Sequence, residues 1–373
     1  MRYQLLSTLL CCAALLATSA PQGPSAALAT ESSVAAKTAA NYEQVLQGDS
    51  SYVFLFAFPS AAYLDWSSSS KLTWTSLEST IAKRTFALPT TIGHAQFAWH
   101  CQRPDGTVLS SGASGQSGEL NGQSLQVLKD GWGMSLLELV YTDGVLESTE
   151  DVKARIRKGA AKDQFSWVAF QVPTESCMAM AEYVDSFKAE GAHRNYGFPV
   201  DPLKMEGGGC TSYAHAAVVK AGLPLPFHED WLREYNIALS DMGRGEETPA
   251  FTTIVPQAKI PKEKKYVGLG HFLWGNRTWA KAGEPSSPFF YYDPELFYES
   301  FLHLENSYRQ RHELPLRTAV RTSNLDDYQQ KLKTQTTAWV QDLQQRQTAM
   351  RLDSIQGKSG LVIDLRSEMQ AAE

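Results

Sequence analysis

Apolar and polar positions repeat along this chain in two rhythms, and each predicts an element. Tyr52-Val53-Phe54-Leu55-Phe56-Ala57-Phe58 is a continuous apolar run ended by Pro59, which predicts a buried strand. Residues 92–101 alternate with a period of two. Ile92, His94, Gln96, Ala98 and His100 share one face, and Gly93, Ala95, Phe97, Trp99 and Cys101 share the other, which has the composition of a packed face. Pro104-Asp105-Gly106 marks a hairpin turn, with residues 107–111 as the returning strand and 112–122 as a Gly/Ser-rich loop. The pattern predicts a second hairpin at 136–146 and further strands at 165–172, 266–274 and 289–293.

Helical periodicity predicts short helices at 76–83 and 295–305. A longer helix is capped by Thr174-Glu175-Ser176 and ended by Gly191. Residues 324–351 form a polar, Gln-rich helical pattern with sparse apolar positions, which predicts a surface appendage or a partner-binding helix. One further helix begins at Cys210 and stops at Gly222 and Pro224. It is preceded by Gly207-Gly208-Gly209, so a cysteine is expected at a helix N-terminus behind three glycines.

Composition narrows the setting. The 373 residues are 43% hydrophobic and 20% charged, as in ordinary globular chains, and the length allows one large domain or two smaller ones. A net charge of -6 without a basic cluster argues against nucleic-acid binding. Met1-Arg2 followed by the apolar run from Leu5 to Leu16 reads as an export signal, too short to span a bilayer comfortably. Cleavage is expected after Ala20 or Ala29, and a retained anchor is the rival reading. The expected organisation is a signal peptide at 1–29, a domain at 30–320 and a helical tail at 321–373, with no membrane-spanning segment in the mature chain.

Three cysteines remain beyond the signal: Cys101, Cys177 and Cys210. An odd number in an exported chain leaves at least one thiol free. Cys101 and Cys177 either pair, leaving Cys210 reduced, or stay as small buried hydrophobes. At a helix N-terminus the dipole and the free N–H groups favour the thiolate, which is the nucleophilic form of cysteine. Preceding glycines let a substrate approach the backbone and free N–H groups to hold an oxyanion.

Such a nucleophile needs a base, usually an imidazole. His215 follows Cys210 by five residues, about 140° around the helix, and therefore points elsewhere. His94 and His271 each follow a glycine and open a predicted strand, and these two remain as candidates. No His-Glu-x-x-His, Cys-x-x-Cys or phosphate-binding lysine loop is present, so neither a metal nor a cofactor is expected. Asn276-Arg277-Thr278 is a glycosylation sequon, meaningful only in a eukaryotic secretory pathway.

Two short segments, roughly 90–115 and 205–222, resemble the NlpC-type papain-like cysteine hydrolases. One is Gly93-His94-Ala95, a histidine opening an alternating strand; the other is Cys210-Thr211-Ser212-Tyr213, a cysteine opening a helix with an aromatic three positions on. Because His94 precedes Cys210, the order matches the circularly permuted branch, which includes relatives of lecithin retinol acyltransferase and bacterial amidase-like proteins. The resemblance implies an α+β fold, an antiparallel sheet packed against the cysteine-bearing helix. It implies Cys210 as nucleophile and His94 as base, with His271 as the fallback in the unpermuted order. The family's third polar residue falls near Ser110, although His, Asn, Gln or Glu is more usual there. Tyr213 and Gly209 are the expected substrate-lining positions. The implied activity is cleavage of an amide or peptide bond, in peptidoglycan for a bacterial exported protein. Acyl transfer or acyl-ester hydrolysis on a lipid is the second reading, and a binding module on a decayed hydrolase is the third.

Overall fold

The computed structural model describes residues 42–118, 130–243, 266–318 and 325–370. The expected signal peptide and its cleavage sites lie outside the described residues, as does most of the polar stretch before Tyr266.

In chain order the elements are β1 (Ser51–Ser60), α1 (Ser69–Phe86), β2 (Ile92–Gln102), β3 (Val108–Ser114), β4 (Gln116–Gly118), β5 (Val140–Tyr141) and β6 (Gly144–Leu146). Next come α2 (Thr149–Ala161), β7 (Ser166–Val172), α3 (Thr174–Ala189), β8 (Tyr196–Gly197), α4 (Cys210–Lys220) and β9 (Leu232–Ala238). The chain continues through α5 (Leu269–Gly275), β10 (Ser286–Tyr292), α6 (Pro294–Arg311), α7 (Asp327–Gln345), β11 (Met350–Ile355), β12 (Lys358–Asp364) and α8 (Arg366–Gln370).

Six strands form one mixed sheet in the order β11-β12-β7-β1-β2-β3. Every neighbouring pair is antiparallel except β12 with β7. The unbroken apolar run of β1 has a direct cause, since the strand is buried along its whole length. Val53, Leu55 and Ala57 join a core with α3, α4, α6 and α7, while Tyr52, Phe54, Phe56 and Phe58 join a second core with Val152 and Ile156 of α2. Each of the buried Val, Leu, Ile and Phe side chains among these contributes roughly 1.5–3 kcal/mol of transfer free energy. A third cluster gathers Leu64, Trp66, Ile237, Phe272, Phe289 and Tyr291 around the β9–β10 pair. Cys101 and Cys177 form a disulfide that joins β2 to α3, which resolves the two readings left open by the sequence.

Four expectations are corrected. The segment after residue 321 is not a helical tail on the outside of a domain. Leu332, Val340 and Leu343 of α7 are buried in the main core, and β11 and β12 complete the sheet. The periodicity of α7 looked sparse because one narrow stripe suffices for a helix that packs along a single neighbour. Residues 269–275 are helical rather than extended, and a short apolar run cannot distinguish the two. Segments 140–141 and 144–146 do not pair with each other; β5 pairs with β8, and β6 pairs with β4. The Gly/Ser-rich stretch after Gly112 carries the end of β3 and all of β4.

Candidate active site

Cys210 is the first residue of α4, and Gly209 is its N-cap. The Gly209 N–H donates to Ser212 Oγ at 2.8 Å, one turn into the helix. Upstream, Gly208 N–H donates to the Asn195 carbonyl at 3.1 Å, and Gly197 N–H donates to the Gly208 carbonyl at 3.1 Å. Gly207 adopts φ +127°, and a β-carbon there would overlap the Asn195 carbonyl, so this glycine is a backbone requirement. The glycine run is therefore a ladder that docks the start of α4 on β8. That ladder also puts the Tyr196 hydroxyl within hydrogen-bonding reach of both the sulfur and the backbone N–H of Cys210.

His94 comes from β2, where its ring is buried. Gly93 has φ +86°, and a β-carbon there would sit 2.7 Å from the Pro294 ring. The glycine before the histidine thus admits α6 against β2 and has no part in the chemistry. The β2–β3 ladder ends at the Phe97–Ser114 pair, so β2 is free of β3 around residues 94 and 95. The sulfur of Cys210 enters at that gap. It faces the Ala95 N–H and the His94 ring, and has Thr211 Oγ1 at 3.7 Å.

The third group is Glu147, between β6 and α2. Its Oε2 lies 2.8 Å from His94 Nε2 and also accepts from Gln96 Nε2. Its Oε1 accepts from Arg155 Nη2 of α2. With Nε2 committed to Glu147, Nδ1 is the ring nitrogen left to face the sulfur. Gly115 makes the room, because a β-carbon there would overlap Glu147 Oε2.

Electrostatics bind the three groups into a line of charge. Burial opposes ionisation of Cys210, but the His94 charge and its hydrogen bond, with those of Ala95 and Thr211, hold the thiol below its ordinary value. Burial pulls His94 down, yet the Glu147 carboxylate and the thiolate outweigh it and hold the imidazole above its ordinary value. Burial likewise opposes the Glu147 carboxylate, and His94, Arg155 and Gln96 together hold it well below the usual carboxylate range. Burial and the Cys210 charge hold the Tyr196 phenol well above its ordinary value, so it stays protonated beside the sulfur. A thiolate–imidazolium pair braced by a carboxylate follows, on a residue that is half-buried.

Of the residues read from the sequence, Cys210 and His94 meet and the others do not join them. Ser110 is corrected: it lies opposite Cys101, seven strand residues and about 23 Å along β2 from His94, and its hydroxyl accepts from Trp99 Nε1 at 2.9 Å. Tyr213 is corrected as well, being fully buried against Phe97, Tyr183 and Phe187 as a core aromatic. Gly209 stands beside the sulfur but offers no free N–H, because Ser212 takes it. His271 lies on α5 with Nε2 3.0 Å from Asp241 Oδ1. His215 faces His228, and burial followed by the His228 charge pushes it down to about 4.

Sequence reasoning missed Glu147, Gln96, Arg155 and Tyr196. The signal for Glu147 lay in Glu147-Ser148-Thr149-Glu150-Asp151, where Ser148 and Asp151 form a capping box. An acid just before such a cap sits outside the helix and invites a separate explanation. No family model, curated protein or solved structure matches the chain.

Proposed function

We propose that this chain is an exported cysteine hydrolase of circularly permuted, NlpC-like papain type, acting on an amide or peptide bond. The observation that carries the reading is the Cys210–His94–Glu147 line, with a lowered thiol, a raised imidazole and a buried carboxylate behind it. Export is supported by the apolar run from Leu5 to Leu16 and by the Cys101–Cys177 disulfide, which suits an oxidising compartment.

The steps follow from the groups present. The Cys210 thiolate attacks the carbonyl carbon, a C–S bond forms, and the π electrons move to oxygen. The Tyr196 O–H, which faces the sulfur, is the donor assigned to that oxyanion. The oxyanion collapses, the C–N bond breaks, and the His94 imidazolium gives its proton to the leaving amine. Neutral His94 then takes a proton from water, which attacks the thioester. The C–S bond breaks, the acid departs, and the thiolate–imidazolium pair returns. Glu147 holds the ring in one orientation and stabilises its positive form throughout.

A stem peptide or amide of peptidoglycan is the proposed substrate. Acyl transfer or ester hydrolysis is the second reading, favoured by one feature: Tyr291, which feels the Cys210 charge, packs edge-on against Phe198 at 4.9 Å, so apolar rings lie on that side of the nucleophile. The test incubates the mature protein with peptidoglycan peptides and, separately, with acyl-ester substrates, and looks for a covalent Cys210 acyl adduct by mass spectrometry. Amide cleavage through such an adduct, absent in Cys210→Ala, is the expected result. No adduct with either substrate class, together with Cys210 labelling no faster than an unfolded control, would leave only a binding module.

A further inference from the structure

On the flank of α4 turned away from the nucleophile, His215 meets a neighbouring turn, His228–Trp231. Its Nε2 lies 3.0 Å from His228 Nδ1 and 3.7 Å from Glu229 Oε1. His228 Nδ1 lies 3.4 Å from the same carboxylate oxygen. Three ligating atoms, one from each residue, form a nearly equilateral triangle. Around a tetrahedral zinc ion with bonds of about 2.0–2.1 Å, adjacent ligand atoms are about 3.3 Å apart. The three edges bracket that length.

A hydrogen bond between the two imidazoles accounts for one edge only. It does not call for a carboxylate oxygen at similar distance from both nitrogens, whereas a shared cation does. His215 is also preorganised: its ring stacks on Tyr292 at 4.4 Å and meets the edge of Trp231 at 6.2 Å. The His215 side chain is 5% exposed, His228 25% and Glu229 68%, so the open side of the triangle faces solvent.

We propose that His215, His228 and Glu229 bind one divalent transition-metal ion of the zinc class, with a solvent-facing fourth position. Two imidazoles and one carboxylate suit zinc, copper, nickel or cobalt, and not the all-oxygen preference of magnesium or calcium. The site is separate from the Cys210 centre and does not rest on the hydrolase reading. Bound metal ties the His228–Trp231 turn to the helix that begins at the nucleophile. The ligands come from two elements rather than one short signature, so no local motif marks the site.

Titration of the metal-free, full-length protein with Zn²⁺, by calorimetry and thermal unfolding, tests the proposal. Running it on both wild type and Cys210→Ala separates this site from zinc capture by the thiolate. One equivalent is expected in both, with a rise in Tm as binding stabilises the folded state. Affinity is expected to fall about 100-fold in His228→Ala and about 10-fold in Glu229→Gln. Both positions are partly exposed, so these variants fold. Mg²⁺ is expected to have no effect, and a Co²⁺ derivative of wild type to lack sulfur-to-metal charge-transfer absorption. No stoichiometric Zn²⁺ binding, or binding that survives His228→Ala but disappears in Cys210→Ala, overturns it.

Discussion

His94 and His271 each follow a glycine, and each bonds a buried carboxylate through Nε2: Glu147 at 2.8 Å and Asp241 at 3.0 Å. From the sequence they were rivals for the same role. The difference lies in what else surrounds each pair. The Glu147 carboxylate is held by Gln96 and Arg155, and the far side of the His94 ring meets the Cys210 sulfur. Asp241 is a junction instead, accepting from Arg277 Nε at 2.6 Å and from Ser69 Oγ at 3.0 Å. It ties α1, α5 and the turn at Leu239–Asp241 together, with the His271 side chain 34% exposed on its rim. A histidine on a buried acid is therefore an ordinary way to satisfy a carboxylate. It becomes a candidate catalytic pair only when a third group that can gain or lose a proton sits on the other ring nitrogen, within reach of a substrate.

The largest effect expected from this contrast is on thiol reactivity. Iodoacetamide labels only the free thiol among the described residues, Cys210. At pH 6–7, His94→Ala is expected to slow labelling by about 100-fold, because burial then raises the thiol with only Ala95 and Thr211 left to oppose it. His271→Ala is expected to leave the rate within about twofold of wild type, since no thiol depends on it. Equal losses in the two variants would erase the distinction.

A smaller change, about 10-fold, is expected for Glu147→Gln, which keeps the shape and removes the charge. Gly115→Ala should move the rate in the same direction by pushing Glu147 Oε2 out of its place. Such a loss from a residue that touches neither sulfur nor substrate would mark Glu147 as a positioning residue. An unchanged rate in both would demote it to the status of Asp241.

The pH profile sharpens the same point. The thiol is held below its ordinary value and the imidazole above its own, so the ion pair occupies the interval between them. Labelling should rise with pH at a limb below the ordinary thiol value of 9.0. In amide hydrolysis, activity should fall at an alkaline limb above the ordinary imidazole value of 6.5, as His94 loses its proton. Removing the Glu147 charge takes away the larger of the two charges that raise His94, so Glu147→Gln moves the alkaline limb down and narrows the interval from that side. The limbs belong to the coupled pair rather than to either residue alone.

Much of the frame could be read in advance, and the failures share a cause. Strands β1, β2 and β7 and helices α3 and α4 announce themselves through local periodicity, caps and stops, which depend on neighbours in sequence. Cys210 and His94 were legible because each carries its own local setting, a helix start and a strand start. Glu147 was not, because it reaches His94 through the β4–β6 pairing and the missing side chain of Gly115, both long-range facts. Ser110 failed for the converse reason. It was placed by counting along the returning strand, while β3 pairs Ser110 with Cys101, at the far end of β2 from His94. The sheet's far edge was hidden too, since β12 joins β7 in parallel across nearly two hundred residues.

The last expectation concerns the pair without the sulfur. Asp241→Asn removes the charge that both Arg277 and His271 face, but the Arg277 side chain is 31% exposed and water recovers part of the loss. A cost of about 1–2 kcal/mol is expected, read as a lower urea midpoint with an unchanged slope. Cys210 labelling should not change, because the links of Asp241 run to α1 and α5 rather than to β2. The comparison would break if labelling slowed together with the loss of stability. In that case the junction at Asp241 would be holding the nucleophile's surroundings in place, and the two histidine–carboxylate pairs would belong to one cooperative unit.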